Sequence, residues 1–166
     1  MLSFTHRQYL FCTLFRFTAA RRNAYASHHT HSVRETEQFA RELAQKLLPG
    51  DIIAFTGGLG AGKTAFVRGL AQGLGCSDEV SSPTFSLVHE YDGPVTLYHF
   101  DMYRIHSLDE LYSTGFFDYL DCGGIMAIEW SENIAAVLEQ ERCIAVSIEP
   151  DDENIRIITV NGGDRF

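Results

Sequence analysis

Residues 51–64 read DIIAFTGGLGAGKT, and this stretch decides how the chain folds. Its first six residues, Asp51 to Thr56, form a short apolar run that is suited to a buried strand. The next eight residues match the pattern G-x-x-x-x-G-K-[ST] at every position. From Thr64 to Leu74 the apolar residues recur at helical spacing, and Gly75 then stops the helix. A strand, a glycine-rich loop and a helix in this order predict a phosphate-binding loop.

The residue types in this loop suit a polyphosphate. Glycine lets successive backbone N–H groups converge on phosphate oxygens without a clash from a Cβ atom, and the start of a helix adds a favourable dipole. Lys63 would place a cation on the β and γ phosphates, and the hydroxyl of Thr64 is a hard oxygen ligand for Mg²⁺. We therefore expect the chain to bind a nucleoside triphosphate with Mg²⁺ and to hydrolyse it, with Lys63 acting in both binding and catalysis. The predicted nucleotide-binding residues of the loop are Gly57, Gly58, Leu59, Gly60, Ala61, Gly62, Lys63, Thr64 and Ala65.

A second ligand for Mg²⁺ is expected at the end of a neighbouring buried strand. Residues 96–100 form such a strand, and Asp101 follows it with a carboxylate. Asp101 is therefore the predicted metal ligand beside Thr64, and an acid that only caps the strand is the alternative. His99 would either tune that carboxylate or be a packed or exposed histidine, and the second interpretation is favoured.

Another apolar strand, Ile125 to Ile128, ends abruptly in Glu129 and Trp130, the only tryptophan of the chain. Ligands of α/β proteins bind at the carboxyl edge of the sheet, where this strand ends. Glu129 is therefore predicted to orient or deprotonate the attacking water, and a surface acid is the other interpretation. Trp130 is predicted either to contact the nucleotide or to pack in the core or at the rim.

The segment SSPTF, residues 81–85, follows the helix at a distance that is typical of a switch segment. The hydroxyls of Ser82 and Thr84 would sense the γ-phosphate or Mg²⁺. A plain β-turn before a strand would need the same residue types. The residues alone leave both interpretations open.

The rest of the chain alternates between predicted helices and strands. Ser32 and Glu35 form a capping box that starts a helix, and Ser131 is predicted to cap a helix that reaches Leu138. A further helix, interrupted at Gly115, is expected between these two helices along the chain. Further strands are expected within residues 85–91, 96–103, 144–148 and 155–160. The first two of these are close enough in sequence to form an antiparallel hairpin. The alternation of strands and helices, together with this hairpin, predicts a three-layer α/β P-loop domain, residues 32–166, on a mixed parallel and antiparallel sheet.

Residues 1–31 contain four arginines and no acidic residue, and their apolar positions follow no helical or strand period. We expect this segment to lie outside the fold, as disordered chain, a targeting peptide or a stretch upstream of the true start. His28, His29 and His31 would suit a metal ion, but a mobile tail is the favoured interpretation.

Charge and composition exclude several classes of function. Residues 32–166 carry nine basic and 22 acidic side chains, so their net charge of about −13 repels nucleic acid, and direct tight binding is not expected. No run approaches the roughly 20 uninterrupted apolar residues of a membrane helix, so we expect a soluble chain. Four widely spaced cysteines without a C-x-x-C pair indicate reduced, mostly buried thiols and favour a cytosolic location.

Taken together, four motifs of the chain resemble the bacterial TsaE family, also called YjeE. They are Gly57 to Thr64, Ser82-Pro-Thr-Phe85, His99-Phe-Asp-x-Tyr-Arg104 and Ile128-Glu-Trp130, and the resemblance covers about residues 33–160. It implies a small Mg²⁺-dependent ATPase, of low activity alone, that works with TsaD and TsaB in making N6-threonylcarbamoyladenosine at position 37 of ANN-decoding tRNAs. It also implies phosphate and Mg²⁺ binding by Lys63 and Thr64, Mg²⁺ binding by Asp101, support of hydrolysis by Glu129 and a switch role for the Ser-Pro-Thr segment.

Two alternatives stay open beside an ATPase. A P-loop kinase for a small metabolite is the first, although the arginines beyond the loop helix, Arg104, Arg142, Arg156 and Arg165, are too scattered for a lid. The second is a nucleotide-sensing assembly module that binds ATP and seldom hydrolyses it. A GTPase is disfavoured because the chain has no N/T-K-x-D motif to read guanine.

Overall fold

The computed structural model describes residues 26–166, and within them seven strands form one sheet in the order β1-β7-β6-β2-β5-β4-β3. The strands are β1 (Ala26–Thr30), β2 (Ile52–Thr56), β3 (Val88–Tyr91), β4 (Leu97–Asp101), β5 (Ile125–Glu129), β6 (Cys143–Pro150) and β7 (Arg156–Asn161). The helices are α1 (Val33–Ala44), α2 (Lys63–Leu74), α3 (Leu108–Ser113), α4 (Phe116–Leu120) and α5 (Ala135–Leu138), with 3₁₀ turns at Ser131–Ile134 and Gly163–Arg165. Residues 1–25, part of the segment that we predicted to lie outside the fold, are outside the described residues.

The centre of the sheet is parallel and its two sides are antiparallel. β6, β2, β5 and β4 run in the same direction, so their carboxyl ends meet at one edge. β3 pairs antiparallel with β4 as the predicted hairpin, and β7 pairs antiparallel with both β6 and β1. The predicted mixed sheet is confirmed.

Helices cover both faces of this sheet, which confirms the predicted three layers. On one face, Leu43 of α1 and Phe66 of α2 belong to a buried cluster with Phe55 of β2. On the other face, Phe116 of α4 packs in a second cluster with Phe100 of β4, together with side chains of α3 and α5. Strand residues alternate between the two clusters because successive side chains point to opposite faces.

That alternation places three polar side chains on the face that α2 covers. Leu97 packs in the α1/α2 cluster, so His99 and Asp101, two and four residues later in β4, point to the same face. Glu129 shares this face with Ala127 of the neighbouring β5. Asp101 and Glu129 are Cα partners in the parallel register, so two carboxylates end adjacent strands beside the start of α2.

The prediction that the fold begins at Ser32 is wrong for residues 26–30. This stretch forms β1 and pairs with β7 along its whole length, and the ring of His28 stacks on Phe39 of α1 with centroids 4.4 Å apart. The strand escaped the sequence analysis because it is an edge strand of polar residues, and only Thr30 among its described side chains is buried. The predicted cap of α1 is present, since Ser32 Oγ accepts a hydrogen bond from the backbone N–H of Glu35.

A second correction concerns Ser131. Its hydroxyl does not cap a helix but donates a 2.9 Å hydrogen bond to the carbonyl oxygen of Phe55 in β2. Ser131 is instead the first residue of the 3₁₀ turn that precedes α5. The residue before this turn, Trp130, has a left-handed backbone with φ of 57°. The buried hydroxyl therefore ties the end of β5 to β2.

Two smaller findings bear on the predicted environment of the chain. Within residues 26–166, no helix combines the length and apolar character that crossing a membrane requires. Cys122 is exposed and Cys76 and Cys143 are half-buried, so the expectation of mostly buried thiols is wrong for the described part of the chain.

Candidate functional site

The glycine-rich loop connects β2 to α2, and three of its glycines, Gly57, Gly60 and Gly62, have a positive φ that a side chain would disturb. Gly57 has φ of 141°, and a Cβ atom on it would lie 2.4 Å from the carbonyl oxygen of Ile148 in β6. Gly62 has φ of 110° and is the residue immediately before α2. The loop can therefore pass close to β6 and present the N–H groups of the first turn of α2, which have no intrahelical acceptor, to an anion.

Lys63 is the first residue of α2, directly after the loop, and is 4% exposed. Its Nζ atom donates hydrogen bonds of 2.7 Å to the carbonyl oxygen of Gly57 and 2.9 Å to that of Gly58. The same atom is 4.1 Å from the centre of the Trp130 ring. The ammonium group is thus held in the mouth of the loop, with an aromatic face on one side.

The charge of Lys63 is subject to opposing effects. Burial lowers the pKa of Lys63, because desolvation disfavours the ammonium form. The carboxylates of Glu129, Glu132 and Asp101 act in the other direction and raise it. A bound polyphosphate would add negative charge and favour the ammonium form further.

Thr64, the next residue, is joined directly to the end of β5. Its hydroxyl donates a 2.8 Å hydrogen bond to Oε1 of Glu129, which is 4% exposed. Oε1 also lies 2.8 Å from Nε2 of the fully buried His99. The loop, β5 and β4 therefore meet at one carboxylate oxygen.

Asp101 is joined instead to the predicted switch segment. The hydroxyl of Thr84 donates a 2.7 Å hydrogen bond to Oδ2 of Asp101, and the hydroxyl oxygens of Ser82 and Thr84 are also 2.7 Å apart. The backbone N–H of Tyr103 donates to Oδ1 of the same carboxylate. The segment that contains Ser82 and Thr84 is therefore attached to the sheet through the predicted metal ligand.

These groups fit a magnesium ion that is shared with phosphates. Thr64 donates its hydroxyl hydrogen to Glu129 and still has lone pairs for a cation, and Asp101 supplies a carboxylate from the strand beside that of Glu129. Mg²⁺ in such sites takes one or two protein carboxylates, while phosphates and water complete its shell. Residues 26–166 contain no cluster of three or more His, Cys, Asp or Glu side chains that would hold a metal without a nucleotide.

Trp130 is buried beside the loop and is only 7% exposed. One side of its ring faces Lys63, and Tyr103 lies near it with ring centroids 5.0 Å apart.

Glu132 is in the turn that follows Trp130, and burial raises the pKa of its carboxyl group. Its Oε2 atom is buried without a hydrogen-bond partner among the described residues.

Two residues of this site were missed by the sequence analysis. His99 is packed, as one of the favoured interpretations had it, but its contact with Glu129 was not predicted. The two-residue spacing from Asp101 could have shown that both side chains share a face. Arg156 was one of the scattered arginines, but its Nε atom donates a 3.2 Å hydrogen bond to the carbonyl oxygen of Ala61 in the loop. No local signal in the sequence relates β7 to the loop, because the contact spans 95 residues.

Comparison with known proteins gives the family. The model of the family described as "Threonylcarbamoyl adenosine biosynthesis protein TsaE" matches residues 30–158. A curated TsaE protein of Treponema pallidum is 37% identical over 131 residues, which cover 79% of this chain and 96% of that protein. The TsaE protein of Bacillus subtilis is 39% identical over 133 residues, which cover 80% of this chain and 83% of that protein.

A solved structure supports the same relationship. The crystal structure of YdiB from Bacillus subtilis superposes with a TM-score of 0.71 and 34% sequence identity, and the match covers 89% of this chain and 92% of YdiB. The loop, the mixed sheet and these similarities together indicate a nucleotide-binding P-loop protein of tRNA modification. The chain belongs to the TsaE family of tRNA threonylcarbamoyladenosine biosynthesis proteins.

Proposed function

We propose that this chain is a Mg²⁺-dependent ATPase that supports threonylcarbamoylation of adenosine 37 in ANN-decoding tRNAs, in an assembly with TsaB and TsaD proteins. The observation that carries the proposal is the hydrogen bond from Thr64 to Glu129, with Asp101 on the adjacent strand. It supports the proposal because the loop lies beside the two carboxylates to which we assign hydrolysis and metal binding. In this proposal, the described residues 26–166 contain the groups that carry the activity.

In this proposal the loop binds the triphosphate through backbone N–H groups, and Lys63 leaves the carbonyl oxygens of Gly57 and Gly58 to pair with phosphate oxygens. Thr64 and Asp101 hold Mg²⁺, which, when bound, neutralises charge on the β and γ phosphates. Trp130 keeps the lysine side chain against the mouth of the loop.

Glu129 serves the reaction itself. It orients a water molecule that attacks the γ-phosphorus in line, and it accepts the proton that the water loses. The bond from the γ-phosphorus to the β–γ bridging oxygen breaks, so the products are ADP and inorganic phosphate. Since residues 32–166 carry a net charge of about −13, the tRNA is reached through the other proteins of the assembly.

A nucleotide-sensing assembly module with little hydrolysis is the second candidate. The hydrogen bond from Thr84 to Asp101 favours it, because a ligand at Asp101 would change the attachment of the exposed segment around Phe85, which is 93% exposed. Such a module would bind Mg·ATP and present a different surface to its partners without turning the nucleotide over.

The test combines binding and turnover. Calorimetry should show that Lys63→Ala weakens Mg·ATP binding severely, whereas Lys46→Ala, which removes the other lysine of the chain from an exposed position, should bind like wild type. Release of inorganic phosphate is then measured with the full chain alone and with TsaB and TsaD. Multiple turnovers in the assembly would support the ATPase, and at most one turnover per chain would support the module. Unchanged affinity in Lys63→Ala would overturn both.

A further inference from the structure

We infer that His99 is a positioning residue for Glu129: it holds the carboxylate so that one oxygen faces the loop and the other is left for the attacking water. The inference rests on the proposed ATPase function. His99 itself touches neither nucleotide nor water in this assignment. It acts through the Glu129 side chain.

The contact is buried and its direction is defined. His99 is 0% exposed, and its Nε2 atom is 2.8 Å from Glu129 Oε1. An ionised carboxylate only accepts hydrogen bonds, so Nε2 carries the hydrogen and donates it. The other ring nitrogen, Nδ1, is buried and has no partner among the described residues.

Two donors from different elements meet on the same oxygen. Thr64 of α2 and His99 of β4 both donate to Oε1 of Glu129, while Oε2 accepts no hydrogen bond from the described residues. A carboxylate held at one oxygen by two donors keeps its side-chain torsion angles, and its second oxygen points in a defined direction. That second oxygen is the one available to a water molecule.

Packing alone does not account for this histidine. An imidazole with one buried, unpaired nitrogen costs stability, and an apolar side chain at this position would avoid the cost. Leu97, two residues earlier in the same strand and on the same face, shows that the α2 side of β4 accommodates an apolar residue. The Nε2 hydrogen bond to Glu129 is a contact that an apolar side chain at this position could not make.

Three variants of the full chain separate positioning from packing. His99→Leu removes the donor, whereas His99→Gln places a side-chain N–H group near the position of Nε2 and can still donate to Glu129. His89→Leu is the control for loss of an imidazole from the sheet, because His89 lies directly opposite His99 in the β3–β4 pair and its Nδ1 atom bonds to Ser81 and Tyr91 but not to Glu129. Thermal unfolding monitored by circular dichroism selects the variants that fold.

In the assembly with TsaB and TsaD, His99→Leu should lower kcat for ATP at least tenfold, with Mg·ATP affinity within threefold of wild type. His99→Gln should recover most of the lost kcat, and His89→Leu should match wild type. The double variant His99→Leu/Glu129→Gln should be no slower than Glu129→Gln alone, because the histidine acts only through the carboxylate. His99→Leu could fail to fold while His99→Gln folds. In that case, a kcat of His99→Gln within threefold of wild type supports the inference, and a larger loss of kcat overturns it.

Other outcomes overturn the inference or the function beneath it. Losses of kcat that add in the double variant, or equal losses in His99→Gln and His99→Leu, would give His99 a structural role only. Wild-type kcat in His99→Leu would also remove it from the mechanism. A wild-type assembly without any turnover would overturn the proposed function and this inference together, so the two failures are distinguishable.

Discussion

The hydroxyl of Thr64 donates a 2.8 Å hydrogen bond to Oε1 of Glu129, a residue 65 positions further along the chain. This bond joins the start of α2 to the end of β5 across the carboxyl edge of the parallel strands. A hydroxyl in this position can contact a cation while its hydrogen stays on the carboxylate. Metal binding and water activation would therefore share one local network, and substitutions at its members should separate the two.

Glu129→Gln should leave ATP affinity within a few-fold of wild type and lower turnover about 10²-fold or more. The amide oxygen of glutamine can accept the hydrogen bonds from Thr64 and His99, so the variant removes charge and basicity with little change in geometry. Phosphate release by the assembly with TsaB and TsaD under saturating Mg·ATP measures the effect. The exposed Glu139→Gln is a control for loss of one negative charge. Wild-type turnover in Glu129→Gln would remove Glu129 from the mechanism.

Asp101→Asn should preserve metal-free nucleotide binding and reduce the gain in affinity that Mg²⁺ provides, by about tenfold, because a hard anionic ligand becomes a neutral amide. Asparagine keeps one accepting oxygen for the N–H of Tyr103, and its amide NH2 can donate to the hydroxyl oxygen of Thr84, so the segment keeps its attachment. ATP titrations with and without Mg²⁺ compare the variant with Asp109→Asn, an exposed acid at the start of α3. A magnesium dependence like that of wild type would mean that another acid holds the ion.

Glu132→Gln should raise the free energy of unfolding at pH 7 by about 0.5–1 kcal/mol. Burial raises the pKa of Glu132 in the folded protein above its ordinary value of 4.5, so the ionised carboxylate destabilises the fold at any pH above that raised value. The penalty disappears as the pH falls through the raised pKa towards 4.5, where the unfolded chain also binds the proton. Urea unfolding between pH 4.5 and 8 should show the two proteins converging in acid. A difference that stays constant with pH would contradict this account.

Thr30→Val should lower the free energy of unfolding by about 1 kcal/mol, because it removes a buried hydrogen-bonding group. The hydroxyl oxygens of Thr30 and Thr36 are 2.8 Å apart and link β1 to α1. Thr159→Val is the control, since the hydroxyl of Thr159 is 3.4 Å from that of Ser27 at an exposed position and its loss should change stability by less than about 0.5 kcal/mol. Urea unfolding followed through Trp130 gives both values. Equal stability of Thr30→Val and wild type would mean that β1 contributes little through this contact.

The local patterns of the chain predicted most of the fold because the decisive elements are buried and strongly patterned. The run Asp51 to Thr56 and the loop after it have the composition of a central strand and a phosphate cradle, and the structure places them at β2 and the start of α2. β1 was missed because a polar edge strand, in which residues 27–29 are exposed and only Thr30 is buried, shows no apolar alternation. The cap assigned to Ser131 was wrong because the pattern does not reveal that a hydroxyl can reach a carbonyl of another strand.

The sequence by itself determined which chemical groups the candidate site contains: the glycines, Lys63 and Thr64 of the motif and the carboxylates that end two apolar runs. Those inferences depend on short-range steric and hydrogen-bonding rules that act within a few residues. Only the tertiary structure decided that Thr64 and His99 share Oε1 of Glu129, that Thr84 bonds to Asp101, and that Arg156 reaches Ala61. Such pairs are brought together by strand order and register, which the packing of the whole sheet determines.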